Sequence, residues 1–414
     1  MKSIGISLGD DYTDISLYQE EYTYRFPTLL CREKRGTEFS IGEEAYKKNL
    51  TGGVVLVDKL LSLFKKKGSA TIEGQCYEAE ELLSIFLRFL LKEGEKRIAE
   101  KDLPEEEGKD TLVLTLREGE PELFKRLKEL LKKLFGEEYS VQCISHTEAF
   151  AHYLLRQDKT LYNRLVGMFE FSNQVLHYYE MQVSKGAKKY AISAGEAQPE
   201  AISFDIMEKP QGKRMADQIL SGLSDKITRG KVYSAFFLSG KGFESTDFAP
   251  GFMKKLLKGR RVCVESFLFA IGALEYAKLL GRGEEEEYLL LCETRVAYDV
   301  SVRVSQKERE FPYYLAKAGD AWLEKEEEIL LLPDQQDYID FTVQPFVGSK
   351  GRQLRMLLEG FPKREERCTK LSLKSRFVDA STILISVEDR GLGDLHPASG
   401  MVIEERISLG KTNY

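Results

Sequence analysis

A strand–turn–strand pattern occurs twice in this chain of 414 residues and constrains the fold more than any other feature. The first copy consists of Ile4–Leu8 and Asp14–Tyr18, joined by a short polar turn. The second consists of Leu165–Phe171 and Val175–Val183, about 160 residues later. Apolar runs joined by a turn predict β-hairpins. A hairpin repeated at the length of an ordinary domain predicts a duplicated α/β unit.

Strands and helices alternate after the first hairpin. Thr111–Leu116 is an apolar run typical of a buried strand, and Glu122–Phe135 has the spacing of an amphipathic helix. Tyr139–Ile144 and Thr147–Leu155 repeat this order. The alternation predicts an α/β fold with a partly parallel sheet.

The pattern changes after the charged run Glu284–Glu287. Seven strand-like runs then follow one another with turns between them: Tyr288–Cys292, Tyr298–Val304, Glu328–Leu332, Tyr338–Val343, Leu354–Leu358, Thr369–Val378 and Ser381–Val387. Short strands at short intervals predict an all-β domain. We therefore expect an α/β domain over 1–282, with lobes at about 1–158 and 159–282, and a β-sandwich domain over 288–414.

Charge and composition exclude several classes of protein. Lys and Arg total 61 against 67 Asp and Glu, so no overall basic field indicates a nucleic-acid partner. No run approaches the ~18 apolar residues of a membrane span. The start of the chain leads directly into Ile4–Leu8, unlike a signal peptide, and the six cysteines include no CxxC pair. We expect a cytoplasmic protein with reduced thiols, no membrane span and no metal centre.

Several segments, in order, resemble the heat-shock protein 70 and actin ATPase superfamily. Ile4–Asp14 is similar to the first phosphate loop, a hairpin written GIDLGTT in the chaperones. Ser145–Ala149 looks like NEPTAA, and Phe236–Gly242 occupies the place of the adenosine-contacting VLVGGST. Leu358–Pro362 and Ile383–Gly393 look like LxGIPP and LHVSAKDKGTG of the substrate-binding β domain.

This resemblance implies a fold class, a cofactor and a binding cleft. The fold would be an actin-like (ribonuclease H-like, duplicated) two-lobe α/β domain followed by an all-β sandwich. The cofactor would be ATP or ADP with Mg²⁺. The residues of this sequence that match the nucleotide cleft are Gly9, Asp10, Asp11, Ser172, Ser239, Gly240, Lys241 and Gly242.

The phosphate loops depart from the family pattern. The aspartate that holds the metal-bound water shell is replaced by Ser7, and the threonine pair near phosphate by Asp10 and Asp11. Two carboxylates facing a triphosphate repel it by several kcal/mol unless they are exposed or neutralised by a metal. The second loop, Glu170–Val175, contains no glycine, although glycine lets backbone N–H groups approach phosphate. These changes predict a degenerate ATPase with doubtful nucleotide binding.

Few candidates for catalysis remain. The catalytic lysine of the family falls near Val57–Lys59, so Lys59 serves if the register shifts by one, and Asp58 stands there otherwise. Glu170 is either a residual metal-linked carboxylate or a solvated strand end. His177 with Glu180 or Asp205 is a conceivable His–carboxylate base, although a lone histidine is more often structural.

We predict a chaperone-like pseudo-ATPase that binds a peptide or a partner protein. Its β domain would pair with an extended segment through a sheet edge, and Trp322 would either anchor a partner or fill a core. A companion chaperone-like chain is one candidate partner. Only 408–414 follow Ile407, so we expect no helical lid. The alternatives are a divergent chaperone that hydrolyses Mg-ATP through Lys59, Lys241 and the Asp10/Asp11 pair, or an actin-like assembly component.

Overall fold

The computed structural model describes residues 1–33, 38–101, 107–117, 120–172, 175–185, 190–201, 209–284, 287–307, 309–334, 337–347, 350–365 and 367–410. The chain divides into two compact units. Unit 1 contains Met1–Val183 and Ala194–Glu286, and unit 2 contains Ser184–Ser193 and Glu287–Tyr414. The sequence predicts one division of the chain, between 282 and 288. It does not predict that Ser184–Ser193 joins the later unit, because that assignment depends on long-range strand pairing.

Unit 1 combines helices with short and long strands. The helices are α1 (Glu43–Thr51), α2 (Leu60–Lys65), α3 (Ala79–Ile98), α4 (Pro121–Phe135), α5 (His146–Leu155), α6 (Pro210–Thr228), α7 (Pro250–Leu256) and α8 (Leu268–Arg282). The strands are β1 (Ser3–Ser7), β2 (Tyr12–Leu17), β3 (Gln19–Pro27), β4 (Leu30–Glu33), β5 (Phe39–Ile41), β6 (Val54–Val57), β7 (Ser69–Ile72), β8 (Gln75–Glu78), β9 (Thr111–Leu116), β10 (Ser140–Ser145), β11 (Leu165–Ser172), β12 (Val175–Lys185), β13 (Tyr190–Ala201), β14 (Tyr233–Ser239) and β15 (Arg261–Val264).

Two sheets of this unit have the same arrangement. The first has the order β10-β9-β1-β2-β3, and the second contains β15-β14-β11-β12-β13. In each, an antiparallel hairpin (β1–β2 or β11–β12) continues into two parallel strands. The repeated hairpin of the sequence therefore corresponds to a repeated sheet topology. The smaller β4–β6 sheet and the β7–β8 hairpin are additions to the first half alone.

Two glycines allow α8 to pack closely in this unit. A Cβ on Gly5 of β1 would lie 2.2 Å from the carbonyl oxygen of Ala270 in α8. A Cβ on Gly272 of α8 would lie 1.9 Å from the carbonyl oxygen of Ala149 in α5. Backbone approaches this short admit no side chain. Gly5 therefore brings the backbones of β1 and α8 into direct contact, and Gly272 does the same for α8 and α5.

Unit 2 is built from β16 (Tyr288–Leu291), β17 (Tyr298–Gln306), β18 (Arg309–Ala316), β19 (Glu326–Leu331), β20 (Tyr338–Pro345), β21 (Arg352–Leu357), β22 (Leu371–Asp379), β23 (Thr382–Asp389) and β24 (Val402–Ser408). The start of β13, residues 190–193, pairs in parallel with β16. The other strands form two antiparallel sheets in the orders β18-β17-β20-β21 and β19-β22-β23-β24. Alternate apolar side chains of both sheets, such as Phe341 and Ile385, share one buried core.

Trp322 belongs to this core. Its side chain is buried, and its indole N–H donates to the carbonyl oxygen of Glu293 at 2.7 Å. The core interpretation of Trp322 is therefore confirmed, and the partner-anchor interpretation is wrong because little of the ring is exposed. Within the described parts of the chain, none of the helices has the length and apolar content needed to cross a bilayer.

Candidate functional site

A cleft of about 130 Å³ lies in unit 1, where parallel strands of both matching sheets end. Each of six strands ends at or just before a residue that lines it: Ser7 (β1), Arg117 (β9), His146 (β10), Ser172 (β11), Ser239 (β14) and Ser266 (β15). In α/β folds, ligands bind beyond the carboxyl ends of parallel strands. The cleft is therefore the candidate functional site.

Most of the residues predicted for the nucleotide cleft line this one. Those present are Gly9, Asp10, Ser172, Ser239, Gly240 and Lys241, and the catalytic candidate Glu170 lines the cleft as well. Asp11, Lys59 and Gly242 are not among the lining residues. Gly242 is buried against Phe171, where a Cβ would lie 2.2 Å from the ring. Asn173 and Gln174 of the second loop lie outside the described residues.

Asp10 caps a helix. One carboxylate oxygen accepts from the backbone N–H of Ser62 at 2.8 Å, and the other accepts from the Ser62 hydroxyl. Ser62 lies in the first turn of α2, whose early N–H groups have no partner within the helix. Both oxygens are thus engaged in holding α2. This gives Asp10 a structural role that the sequence did not predict.

Asp11 lies beside exposed Lys59 and near Asp10. Burial raises the pKa of the Asp11 carboxyl, and the charge of Asp10 adds to this. The charges of Lys59 and Lys241 act in the opposite direction. Lys59 itself stands at the cap of α2 with a positive φ of 51°. The catalytic candidate Lys59 therefore neighbours the acidic pair without lining the cleft.

Partly buried Arg117 and fully buried Glu170 form an ion pair across the cleft. Arg117 Nη2 donates to Glu170 Oε2 at 2.5 Å and to Ser172 Oγ at 3.2 Å, and the Ser172 hydroxyl donates to Glu170 Oε1. Only 3 % of Glu170 is exposed. Burial alone would lower the pKa of Arg117, but the charge of Glu170 raises it above its ordinary value. Glu170 is thus a paired, buried carboxylate, and the solvated interpretation of it is wrong.

The sequence analysis did not identify Arg117. The available signal was its position directly after the buried strand Thr111–Leu116, which pairs in parallel with both of its neighbours. A polar residue at the carboxyl end of such a strand faces the site in α/β folds. Arg117 Nε is buried and makes no hydrogen bond among the described residues.

His146 lies beside this ion pair as a neutral imidazole. Its ring stacks on Phe269 with centroids 3.8 Å apart, and Nε2 is 3.4 Å from the Ser7 hydroxyl. Burial lowers the pKa of His146 well below its ordinary value, and the charges of Arg117 and His177 lower it further. Nδ1 has no hydrogen-bond partner among the described residues. An uncharged ring here supplies little attraction for an anion.

His177 has a different partner from those predicted. Its Nδ1 contacts a carboxylate oxygen of Glu196 in β13. Glu180 accepts from Lys231 at 2.7 and 2.9 Å and from the hydroxyls of Tyr178 and Tyr233. The predicted His177–Glu180 pair is therefore wrong, because successive residues of a strand face opposite sides of the sheet and these two lie three positions apart in β12. Asp205 lies outside the described residues.

The remaining cations of the cleft are engaged as well. Arg25 donates to both oxygens of Asp14 at 2.8 and 3.0 Å and to the carbonyl oxygen of Ser266 at 3.0 Å. Lys241 Nζ donates to the Tyr12 hydroxyl at 2.7 Å and lies over that ring. Three cations (Arg25, Arg117, Lys241) face three carboxylates (Asp10, Asp14, Glu170) among the lining residues. The formal charges cancel.

These residues do not fit a magnesium-bound triphosphate. Ser7 offers no charge to the metal, and both oxygens of Asp10 hold α2. The buried Glu170 carboxylate stands where an anion would meet Arg117. Among the residues that the structure describes, no three His, Cys, Asp or Glu side chains are placed to hold a metal ion.

Comparison with known proteins gives two consecutive matches. Residues 11–293 match the model of a family described as "Family of unknown function (DUF5716) C-terminal". Residues 295–409 match a model described as "Domain of unknown function (DUF8552)". No curated protein matches the chain. Because the first match covers more than half of its length, the chain belongs to the DUF5716 family, through the C-terminal region of that family.

Proposed function

We propose that this chain is a chaperone-like pseudo-ATPase that binds a peptide or a partner protein without hydrolysing nucleotide. The observation that carries this proposal is the buried Arg117–Glu170 pair in the cleft. A cleft that binds phosphate needs cations free to meet it. Here the strongest candidate cation is neutralised by a carboxylate from the same site.

The cost of admitting a triphosphate supports the proposal. An anion that contacted Arg117 would either displace Glu170 or lie against it. Removing one partner of a buried ion pair costs about 3–5 kcal/mol, because a buried charge is left uncompensated. A nucleotide would have to offset that cost before it gained any affinity. The same argument holds for Asp14, whose oxygens are both held by Arg25.

The arrangement of the chain supports a relation to the actin and heat-shock protein 70 fold, which we propose for unit 1. Two sheets of matching strand order, each with a hairpin and two parallel strands, are what a duplicated two-lobe domain requires. A β-rich unit follows, as it does in the chaperones that the sequence resembles. We propose a sandwich fold for unit 2, because its two sheets share one core.

Unit 2 offers edges to an extended partner. β18 and β21 are the outer strands of one sheet, and β19 and β24 those of the other. Exposed apolar side chains lie on three of these edges: Leu330, Leu357 and Val402. An edge strand presents unpaired backbone groups that a peptide can join, and neighbouring apolar side chains provide selectivity. The partner would be a peptide, an unfolded segment or a companion chain.

Calorimetry with Mg-ATP and Mg-ADP tests the pseudo-ATPase half of the proposal. We expect no Mg²⁺-dependent binding up to about 1 mM nucleotide and no turnover above that of Lys59→Ala. Lys47→Ala, which removes an exposed lysine from α1, is the matched control. Micromolar binding with turnover that is lost in Lys59→Ala and kept in Lys47→Ala would favour a working ATPase.

A peptide array probed with the full chain tests the binding half. We expect apolar extended peptides to bind, and Leu330→Lys or Leu357→Lys on the sheet edges to weaken binding at least about tenfold. Leu50→Lys, at a still more exposed leucine of α1, should leave binding unchanged. Equal loss in all three variants, or no binding across the array, would contradict the proposal.

A further inference from the structure

A second pocket lies at the other ends of the strands that form the cleft. It has a volume of about 420 Å³ and is lined at the starts of β11, β14 and β15, by residues that include Arg164, Val232 and Arg261. The cleft lies at the opposite ends of the same strands. The eight residues of β11 and the seven of β14 separate the two by roughly 20 Å. The cleft and this pocket share no lining residue.

Positive charge is concentrated at this second pocket. Three guanidinium groups line it, those of Arg164, Arg260 and Arg261. The segment that leads into β15, residues 254–261, reads KKLLKGRR and carries no acidic residue. The chain as a whole has a net charge of −6. The cluster is therefore positive although the chain as a whole is negative. Its like charges repel one another unless an anion is bound among them.

These three arginines differ from Arg25 and Arg117 of the cleft, which are paired with carboxylates. None of them forms an ion pair with any residue that the structure describes. Arg260 is held in place by Phe236, since its guanidinium carbon lies 5.6 Å from the ring centroid. The charge of Arg261 acts on the nearby carboxylate of Asp158, which accepts a hydrogen bond from the Thr160 N–H at 2.7 Å. The guanidinium donors thus remain available to a ligand.

We propose that this pocket binds a phosphate monoester. Guanidinium groups match the oxygens of phosphate with paired hydrogen bonds, and three of them more than neutralise a dianion. The amide of Asn163 and the hydroxyl of Thr160 line the same pocket and add neutral donors. All three arginines line one open pocket, and the lining aromatic Tyr233 is buried. Extended nucleic acid instead needs a basic track with exposed aromatic platforms.

The phosphate monoester could be carried on a protein side chain or on a small molecule. In either case the pocket recognises the same group, and neither source depends on the function proposed for the cleft. A partner phosphorylated on serine would then dock on unit 1 at a distance from the cleft. The open, shallow form of the pocket leaves room for flanking residues of such a partner.

Calorimetry on the full chain tests this proposal with three probes: a phosphoserine peptide, the same peptide without phosphate, and inorganic phosphate. We expect the phosphopeptide to bind at least about tenfold more tightly than its unphosphorylated form. Arg164→Ala/Arg261→Ala should weaken that binding at least about tenfold. This pair spares Arg260, whose packing on Phe236 could affect folding. Lys125→Ala/Lys132→Ala removes the same charge from exposed positions of α4 and should change binding less than about twofold.

The three probes show whether the phosphate monoester is carried by a protein or by a small molecule, and they also test whether the pocket binds phosphate at all. Tighter binding of the phosphopeptide than of inorganic phosphate supports a protein-borne group, and equal binding supports a small molecule. Equal binding of the two peptides would overturn the proposal, as would equal losses in the two double variants. Binding of a single-stranded oligonucleotide that exceeds phosphopeptide binding and falls steeply with salt would overturn it in favour of nucleic acid.

Discussion

Arg117 and Glu170 lie 53 positions apart in the chain, and their side chains meet in the cleft with Nη2 and Oε2 separated by 2.5 Å. Arg117 follows a strand of the first sheet, and Glu170 lies in a strand of the second. The pair therefore joins the two matching halves of unit 1. In doing so it occupies the position where a ligand anion would require a free cation.

Removal of Arg117 should destabilise the protein. We expect Arg117→Met to lower the free energy of unfolding by about 3–5 kcal/mol, because Glu170 is left charged and buried. The double variant Arg117→Met/Glu170→Gln should recover most of that loss, since no buried charge then remains. Urea unfolding followed by circular dichroism gives both values. A loss below about 1 kcal/mol in the single variant would show that the pair is in effect solvated.

Asp10 and Asp11 should behave differently although they are adjacent. Asp10→Ala removes the cap of α2 and should cost about 1 kcal/mol, whereas Asp10→Asn keeps an acceptor and should cost less. Asp11→Ala should cost under about 0.5 kcal/mol, since the Asp11 carboxylate makes no hydrogen bond to the described residues. Hydrogen exchange at the Ser62 amide should accelerate only in Asp10→Ala. Equal effects of the two alanine variants would contradict the capping role.

Gly272 and Gly222 form a matched test of helix packing. Gly272→Ala places a Cβ 1.9 Å from the Ala149 carbonyl oxygen, so α5 and α8 must separate. We expect a loss of at least about 3 kcal/mol. Gly222, an exposed residue of α6, has no atom within 4 Å of the equivalent position. Gly222→Ala should therefore stabilise the protein by about 0.5–1 kcal/mol. Thermal unfolding of both variants checks the signs, and a neutral Gly272→Ala would refute the close contact.

The neutral His146 predicts a loss of stability in mild acid. The folded state holds the pKa of this ring well below 6.5, so the unfolded chain takes up the proton first. The free energy of unfolding is therefore unaffected by the titration of this group above pH 6.5. As the pH falls below that value, the free energy of unfolding decreases by up to about 1.4 kcal/mol per pH unit. His146→Gln should flatten the urea stability curve between about pH 6.5 and pH 5.5. A curve whose slope is the same in His146→Gln as in the original protein would contradict the neutral, buried state of this ring.

Local sequence patterns predicted those helices and strands whose apolar and polar side chains follow the spacing of the element. The apolar run Thr111–Leu116 is a strand because all six residues are buried between neighbours. The helix predicted over Glu122–Phe135 begins at Pro121, which fits the first turn because its missing N–H has no partner there. β24 escaped prediction because five of its seven residues, such as Glu404 and Glu405, are exposed and carry no apolar alternation.

Side-chain pairing in the site was beyond local patterns. His177 lies two positions from Tyr179 and three from Glu180, yet its partner is Glu196 on another strand. Lys59 seemed equivalent to a catalytic lysine, but the start of α2 carries it outside the cleft lining. In each case the surroundings of the side chain depend on which elements lie next to each other. That choice depends on sheet order, and sheet order depends on the packing of the whole unit.

The sequence by itself determined the repeated hairpin, the strand-rich character of the chain beyond 288, and the loss of glycine from Glu170–Val175, because each is a property of neighbouring residues. Only the tertiary structure decided that Arg117 neutralises Glu170, that Asp10 holds α2, and that three arginines gather at the opposite strand ends. Charges act through space over a few ångströms. Their partners are therefore set by the folded backbone and not by their order along the chain.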